Sequence, residues 1–119
     1  MIKVEDLCFK YQHENPLILD HLHLDVREGE WLVITGESGC GKSTLALGLA
    51  GFLMHTIPGE ISGSITINEN EILSDSSDDI SEEVFLVQQN PETQFCTLTV
   101  KEELAFGLEN RRFPPEEIE

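Results

Sequence analysis

An eight-residue stretch, Gly36 to Ser43, constrains this chain more than any other part of its sequence, because it has the pattern Gly-x-x-x-x-Gly-Lys-Ser. Such a loop wraps closely around an anion with its backbone N–H groups turned inward. Glycine suits it because glycine has no side chain that would block this approach. The apolar run before it, residues 31–35, shows no alternation, as in a strand covered on both faces. The run after it, residues 44–51, is apolar nearly all round, as in a buried helix. Strand, glycine-rich turn and helix in this order predict a phosphate-binding P-loop.

The residues of the loop have separate chemical roles in that prediction. Lys42 brings a full positive charge to the β- and γ-phosphates of a nucleotide, and Ser43 places a hydroxyl on Mg²⁺. The helix that begins near Lys42 adds unpaired N–H groups and the positive end of its dipole. We expect the hydroxyl of Thr44 near the α-phosphate. The predicted ligands are ATP and Mg²⁺, and the predicted nucleotide-binding residues of the loop are Gly36, Glu37, Ser38, Gly39, Cys40, Gly41, Lys42, Ser43 and Thr44.

The charge of the chain limits its partners. Against 23 Asp and Glu there are 7 Lys and Arg, which gives a net charge of −16 over 119 residues. This excess argues against nonspecific binding to nucleic acid or to an anionic membrane. The negative charge also disfavours the binding of ATP, which is itself an anion. Any ATP site must therefore depend on local geometry: backbone amides, one lysine and a metal ion.

The cysteines, Cys8, Cys40 and Cys96, form no C-x-x-C pair and have no histidine at ligand spacing. The spacing predicts neither a zinc site nor a disulfide framework and is typical of a reducing, cytoplasmic compartment. The N-terminus is unlike a signal peptide, and no apolar run approaches the roughly 20 residues of a membrane helix. We interpret Cys40 as filling a small-residue position. The alternative is a reactive thiol, favoured by the helix N-terminus beside it, whose alkylation would weaken ATP binding by steric block.

Outside the loop, alternation and turn residues predict short elements. Strands are expected over residues 2–9, with an irregularity near Glu5-Asp6, over 21–26, around Ile65 and Ile67, and over 84–87, the last one buried. His21 and His23 are interpreted as solvated, and the acidic residues 69–83 as a solvated loop. Thr99 to Glu102 has the pattern of a capping box that opens a helix through Leu108, and a further helix is expected to start near Glu116.

Several motifs occur in the order found in one family of nucleotide-binding domains. They are Phe9-Lys10-Tyr11, Gly36 to Thr44, Val87 to Phe95 and Thr99 to Asn110. By them the chain resembles the N-terminal half of the ATP-binding subunit of ATP-binding cassette (ABC) transporters, in particular energy-coupling-factor and cobalt-type importers. The resemblance implies that Tyr11 stacks on adenine through its flat face. It also implies that Gln89, or its neighbour Gln88, is the Q-loop glutamine that reaches Mg²⁺ and the attacking water. Lys42 and Gln89 are then the predicted catalytic residues, and Ser43 and Gln89 the predicted metal ligands.

The fold implied by the resemblance is α/β: a P-loop NTPase core with an N-terminal antiparallel β subdomain, incomplete in this chain. Residues 1–119 would be the N-terminal part of one ABC ATP-binding domain. The family's L-S-G-G-Q signature and its Walker B strand, which ends in Asp-Glu, are absent from this sequence. We therefore expect the chain to bind Mg-ATP, although weakly, and to hydrolyse it poorly. We also expect apolar surface on the strands at 31–35 and 84–87 to lack cover.

By the same resemblance, the chain would serve an ABC-type membrane importer for a metal ion or vitamin. Its partners would be a second ABC ATPase subunit, identical or different, and a transmembrane subunit, with no nucleic acid. It would be cytoplasmic and peripheral on the inner face of the membrane. The alternatives are a non-catalytic nucleotide-binding fragment, a soluble ABC ATPase outside transport, and an unrelated P-loop kinase. A kinase would need lid arginines, and Arg111-Arg112 is the only basic pair.

Overall fold

The computed structural model describes residues 1–12, 16–73, 84–110 and 112–118, and it divides into two compact units, Met1–Leu86 and Val87–Glu119. The first unit contains the strands β1 (Ile2–Tyr11), β2 (Leu19–Val26), β3 (Gly59–Ile67) and β4 (Asn70–Glu71), and the helices α1 (Lys42–Leu49) and α2 (Phe52–His55). The second contains a 3₁₀ turn (Pro91–Gln94) and the helices α3 (Val100–Asn110) and α4 (Pro115–Ile118).

The strands of the first unit form one antiparallel sheet in the order β2-β1-β3-β4. This confirms the antiparallel β subdomain expected from the resemblance. Along β2, Leu22, Leu24 and Val26 are half-buried and the residues between them are exposed, as the period-two pattern predicts. The expectation that residues 69–83 form only a loop is wrong at its start, because β4 pairs with the end of β3 there. Residues 74–83 of that stretch lie outside the described part of the chain.

Two β-bulges interrupt the pairing of β1 with β2. Between the pairs Val4–Leu24 and Leu7–Leu22, β1 has one residue more than β2, and Asp6 takes a positive φ of 52°. Between Leu7–Leu22 and Phe9–Leu19 the extra residue is on β2, and His21 takes a φ of 46°. The irregularity predicted near Glu5-Asp6 is thus confirmed. An extra residue on one strand re-aims its side chains, so the bulges decide which groups of β1 and β2 meet.

The core lies on one face of this sheet, where α1 and α2 pack. Its buried apolar residues are Val4, Leu7, Phe9, Leu19, Leu45, Leu53, Ile65, Ile67 and Ile72. Burying one large apolar side chain contributes roughly 1.5–3 kcal/mol relative to its exposed state. Leu45 of α1 is 4% exposed, so the helix that follows the glycine-rich loop is fixed to the sheet through its first turns.

The two covered strands expected at residues 31–35 and 84–87 are not formed, and this part of the prediction is wrong. The structure gives neither segment a strand, and Trp31 and Val33 are 97% and 82% exposed. Phe85 and Val87 are 81% and 79% exposed. A buried strand of a parallel sheet needs paired neighbours and helices over both faces. The described residues of the first unit form the antiparallel sheet β2-β1-β3-β4, which includes neither apolar run. Within these residues the two runs therefore have no paired neighbouring strands.

The second unit starts its helix with the predicted capping box. The hydroxyl of Thr99 accepts from the backbone N–H of Glu102 at 3.3 Å, and Glu102 accepts from the backbone N–H of Thr99 at 3.1 Å. One oxygen of Glu103 accepts from the backbone N–H groups of Cys96 and Thr97, at 3.1 and 3.0 Å, and from the Thr97 hydroxyl at 2.8 Å. These bonds, led by the hydroxyl, hold the pKa of Glu103 below its ordinary value. The helix expected near Glu116 is α4.

Within the described ranges, no helix combines the length and the apolar composition needed to cross a membrane.

Candidate functional site

The glycine-rich loop meets α1 at Gly41, the N-cap residue, whose backbone is left-handed with φ 95° and ψ 4°. A Cβ added here would lie 2.8 Å from the carbonyl oxygen of Ile18, a backbone atom that cannot move independently. Gly39, two residues earlier, also has a positive φ, of 82°. Both the backbone conformation and the close approach to the sheet therefore require glycine at Gly41. The chain reaches Lys42 in the orientation that starts a helix, which confirms the predicted turn-to-helix junction.

The ammonium of Lys42 lies among the groups of the loop itself. It donates to the carbonyl oxygens of Gly36 and Glu37, at 2.9 and 2.7 Å, and contacts the sulfur of Cys40 at 3.4 Å. The loop is closed further by the N–H of Cys40, which donates to the carbonyl of Glu37 at 3.4 Å. The single cation of the motif is thus held at the loop, where its charge can meet a phosphate group.

The N-terminus of α1 is open to an anion. Its N-cap residue, Gly41, has no side chain, no described residue caps it by a side-chain hydrogen bond, and its first turn contains no acidic residue. The first N–H groups of a helix have no partner within the helix, and together with the dipole they favour a negatively charged ligand. Ser43 is exposed at this end, whereas Thr44 is 5% exposed. The two adjacent hydroxyls therefore differ: the first faces solvent and the second faces the protein.

The last residue of β1 contacts this helix end. The hydroxyl of Tyr11 lies 3.0 Å from the hydroxyl of Thr44 in a part-buried hydrogen bond. The ring of Tyr11 meets that of Phe9 edge to face, with centroids 5.0 Å apart and planes at 83°. Edge-to-face packing against a fully buried phenylalanine restrains the ring. The predicted adenine-stacking residue is thus held by contacts on both its hydroxyl and its ring.

The structure brings together most of the site residues predicted from the sequence. Tyr11 and the residues from Gly36 to Thr44 lie in the first unit, around the N-terminus of α1. Gln88 and Gln89 belong to the second unit and are both exposed. There the Gln88 backbone N–H donates to the side-chain oxygen of Gln94 at 3.1 Å. Their roles toward Mg²⁺ stay predictions.

The donor set of the first unit fits a nucleotide. An uncapped helix N-terminus, a glycine junction that a Cβ would fill and one ammonium are suited to phosphate oxygens. An exposed hydroxyl at Ser43 is suited to Mg²⁺, which prefers oxygen ligands. Sequence reasoning missed the hydrogen bond between Tyr11 and Thr44, which are 33 positions apart. Only the adjacency of the two motifs in the fold produces it, and no local pattern signals it.

Comparisons with known proteins find relatives along nearly the whole chain. A family model described as ABC transporter matches residues 19–117. A putative ABC transporter ATP-binding protein of Pyrococcus horikoshii is 43% identical over 110 residues, which are 92% of this chain and 39% of that protein. An energy-coupling factor transporter ATP-binding protein of Bacillus subtilis is 40% identical over 119 residues, 99% of this chain and 41% of that protein. A putative HMP/thiamine import ATP-binding protein of the same species is 36% identical over 119 residues, 99% of this chain and 22% of that protein. The chain thus spans well under half the length of these relatives.

Proposed function

Because the chain belongs to the ABC transporter family, we propose that it is the N-terminal part of the ATP-binding domain of a membrane importer and that it binds Mg-ATP through Tyr11 and the glycine-rich loop. The observation that carries the proposal is the contact between Tyr11 and Thr44. It joins the aromatic residue to the helix end that presents the phosphate-binding groups. Adenine and phosphates of one nucleotide can then be held from one compact unit.

In this proposal each residue of the site has one task. The ring of Tyr11 stacks on the adenine, the loop and the N-terminus of α1 hold the phosphates, and Lys42 neutralises the β- and γ-phosphates. Ser43 supplies a hydroxyl to the magnesium ion. Gln89 is proposed as a second group for the metal and for the attacking water. ATP supplies the phosphoryl group that would be transferred.

The chain alone is proposed to hydrolyse ATP poorly. Phosphoryl transfer needs an aligned water, a metal held on both sides and charge stabilisation. The sequence offers no apolar strand ending in Asp-Glu and no L-S-G-G-Q segment. No carboxylate of such a strand joins the proposed metal ligands Ser43 and Gln89, and the water has no general base.

The importer assignment rests on the relatives. One is named as an energy-coupling factor transporter protein and another as a putative HMP/thiamine import protein. By this similarity we propose a small solute of the metal-ion or vitamin class. The proposed partners are a second ATP-binding subunit and a membrane subunit, and the proposed location is the cytoplasmic face of the membrane.

Titration of the purified chain with Mg-ATP, followed by calorimetry, tests the nucleotide site. Lys42→Ala should weaken binding about 10-fold to 100-fold, because a charge-assisted hydrogen bond contributes roughly 1.5–3 kcal/mol. Lys101→Ala is the matched control: it removes one exposed lysine from the second unit and should leave the affinity unchanged. Tyr11→Phe should retain most of the adenine stacking, and Tyr11→Ala should lose it. Equal affinities for Lys42→Ala and Lys101→Ala would refute the site.

Phosphate release and DNA sequencing test the rest of the proposal. Release by the chain should equal release by Lys42→Ala. A rate close to that of a complete ABC ATPase, abolished in Lys42→Ala, would contradict the proposed poor hydrolysis. Sequencing the encoding DNA beyond the codon for Glu119 should show an open frame that encodes L-S-G-G-Q and an apolar strand ending in Asp-Glu. An immediate stop codon would instead favour the non-catalytic nucleotide-binding fragment.

A further inference from the structure

The two bulges of β1 and β2 bring three kinds of metal-ligating side chain together at a place far from the glycine-rich loop in sequence. The extra residue on β2 sets both Asp20 and His21 opposite Cys8, the single β1 residue between the pairs Leu7–Leu22 and Phe9–Leu19. One sulfur, one carboxylate oxygen and one ring nitrogen of Cys8, Asp20 and His21 lie within 4.8 Å of one another. We propose that these three residues form a binding site for a thiophilic divalent cation, with Zn²⁺ as the best fit.

The imidazole of His21 is already oriented for a metal. Its Nδ1 lies 2.6 Å from Oδ1 of Asp6, and its Nε2 lies 3.9 Å from Oδ1 of Asp20. If Nδ1–H donates to the Asp6 carboxylate, the lone pair of Nε2 faces Asp20. A carboxylate that holds the second nitrogen of a ligand histidine is the usual outer support of a zinc site, since it fixes tautomer and ring orientation. Asp6 thus acts as a positioning residue for His21.

The sulfur of Cys8 is also suited to a cation. Cys8 is 8% exposed, and its Sγ accepts the backbone N–H of His21 at 3.3 Å. This contact places the sulfur beside the backbone of the residue that supplies the imidazole. The side chains of Asp20 and His21 are 71% and 68% exposed, so an ion can reach them from solvent. With Zn–S near 2.3 Å and Zn–N and Zn–O near 2.0–2.2 Å, a tetrahedral site needs ligand atoms about 3.5 Å apart. The movement required is about 1 Å.

The donor set selects the class of cation. Sulfur and imidazole favour zinc and similar transition metals, whereas Mg²⁺ and Ca²⁺ prefer oxygen alone. Three protein ligands leave a fourth position for water or another small ligand. The net charge of −16 raises the local concentration of any cation. The linear spacing, which predicts no zinc site, carries no sign of this arrangement, because Cys8 and His21 are 13 positions apart and meet only through the strand pairing.

The test uses the full chain with Cys40→Ser and Cys96→Ser as background, so that Cys8 is its only thiol. Titration with Co²⁺ alone should saturate at one ion per chain and produce the near-ultraviolet charge-transfer absorption of a thiolate–cobalt bond. Competition between Co²⁺ and Zn²⁺ then gives the zinc affinity. Cys8→Ser should lose this absorption, and His21→Asn should lose detectable binding; asparagine tolerates the positive φ at this position.

Two further variants distinguish a specific metal site from nonspecific binding of cations to acidic groups. Asp25→Asn removes an exposed carboxylate of the same strand that is outside the set and should leave the affinity unchanged. Asp6→Asn should weaken binding about 10-fold to 100-fold without removing the thiolate absorption, as expected of an outer support. Circular dichroism of each variant should match that of the background protein. Cobalt binding without thiolate absorption, or equal loss in His21→Asn and Asp25→Asn, would overturn the proposal.

Discussion

The hydrogen bond between Tyr11 and Thr44 allows a quantitative prediction, because its two ends lie in different surroundings. The Thr44 residue is 5% exposed, whereas Tyr11 is only half-buried. Tyr11→Phe leaves a buried hydroxyl without its partner, which costs about 1–3 kcal/mol. Thr44→Val leaves the tyrosine hydroxyl near solvent, where water replaces the lost partner, so it should cost less, about 0.5–1.5 kcal/mol.

The double variant distinguishes the hydrogen bond from the packing of the two side chains. Tyr11→Phe together with Thr44→Val removes both polar groups and keeps both shapes, so its cost should fall below the sum of the single costs. The expected coupling is about 1 kcal/mol, within the usual range of 0.5–3 kcal/mol for residues in contact. For a unit of this size, 1 kcal/mol corresponds to a shift of about 4–8 °C in melting temperature.

Urea unfolding followed by far-ultraviolet circular dichroism measures these free energies, since Trp31 is 97% exposed and is a poor reporter of the core. Thr66→Val on β3 is the control: it makes the same chemical change at a half-buried threonine and should show no coupling to Tyr11→Phe. Titration with Mg-ATP should show that Tyr11→Phe retains binding. A coupling below about 0.3 kcal/mol, the usual error for independent sites, would refute the hydrogen bond as the link between β1 and α1.

Further predictions concern the loop junction and the second unit. Gly41→Ala should destabilise the first unit and lower ATP affinity, because its Cβ would lie 2.8 Å from the Ile18 carbonyl oxygen. At Gly39 an added Cβ would meet no atom of the described residues outside its own chain neighbours within 4 Å. Gly39→Ala should therefore cost only the roughly 1–2 kcal/mol of a left-handed backbone, as urea unfolding would show. Thr99→Ala should lower the helix content of α3 at a cost of about 1 kcal/mol by circular dichroism, and an unchanged spectrum would contradict the capping role. Since the pKa of Glu103 is lowered in the fold, its stabilisation should be present above the ordinary glutamate pKa of about 4.3 and be lost as pH falls through the lowered value. The difference in melting temperature between the unmodified chain and Glu103→Gln should shrink on acidification. A constant difference would exclude a stabilising role of the Glu103 carboxylate.

The parts of the fold that the sequence predicts correctly are those with local causes. Thr99 and Glu102 are three positions apart, so their reciprocal hydrogen bonds depend on one turn of helix alone. The start of α1 at Lys42 follows from the glycines before it and the apolar residues after it. The predicted alternation of half-buried and exposed residues along β2 is found because the core of the first unit covers one face of the sheet.

The parts of the fold that the sequence does not predict correctly depend on neighbouring strands or on the register of strand pairing. An apolar run such as residues 31–35 specifies burial, but it becomes a strand only where neighbours pair with it on both sides. The cluster of Cys8, Asp20 and His21 depends on a one-residue bulge, and a shift of one residue in a strand changes which side chains meet. Neither the neighbours nor the bulge on β2 can be inferred from the residues of one segment.

The contrast between the two sides of the glycine-rich loop has a consequence for nucleotide binding. On its C-terminal side the loop is fixed, since Leu45 is buried in the core and Gly41 lies so close to Ile18, just before β2, that a Cβ would not fit. On its N-terminal side it is preceded by residues 31–35, which are exposed and form no strand. Ligand contacts from Gly41 onward are therefore supported by the core, whereas Gly36 and Glu37 are held through the Lys42 ammonium, which has to exchange these carbonyl contacts for phosphate oxygens when a nucleotide binds. Releasing these contacts frees the backbone of the loop, and fixing it again around the phosphates costs roughly 1–2 kcal/mol for each residue. We therefore expect the chain to bind Mg-ATP weakly, because part of the binding free energy is used to rearrange the loop.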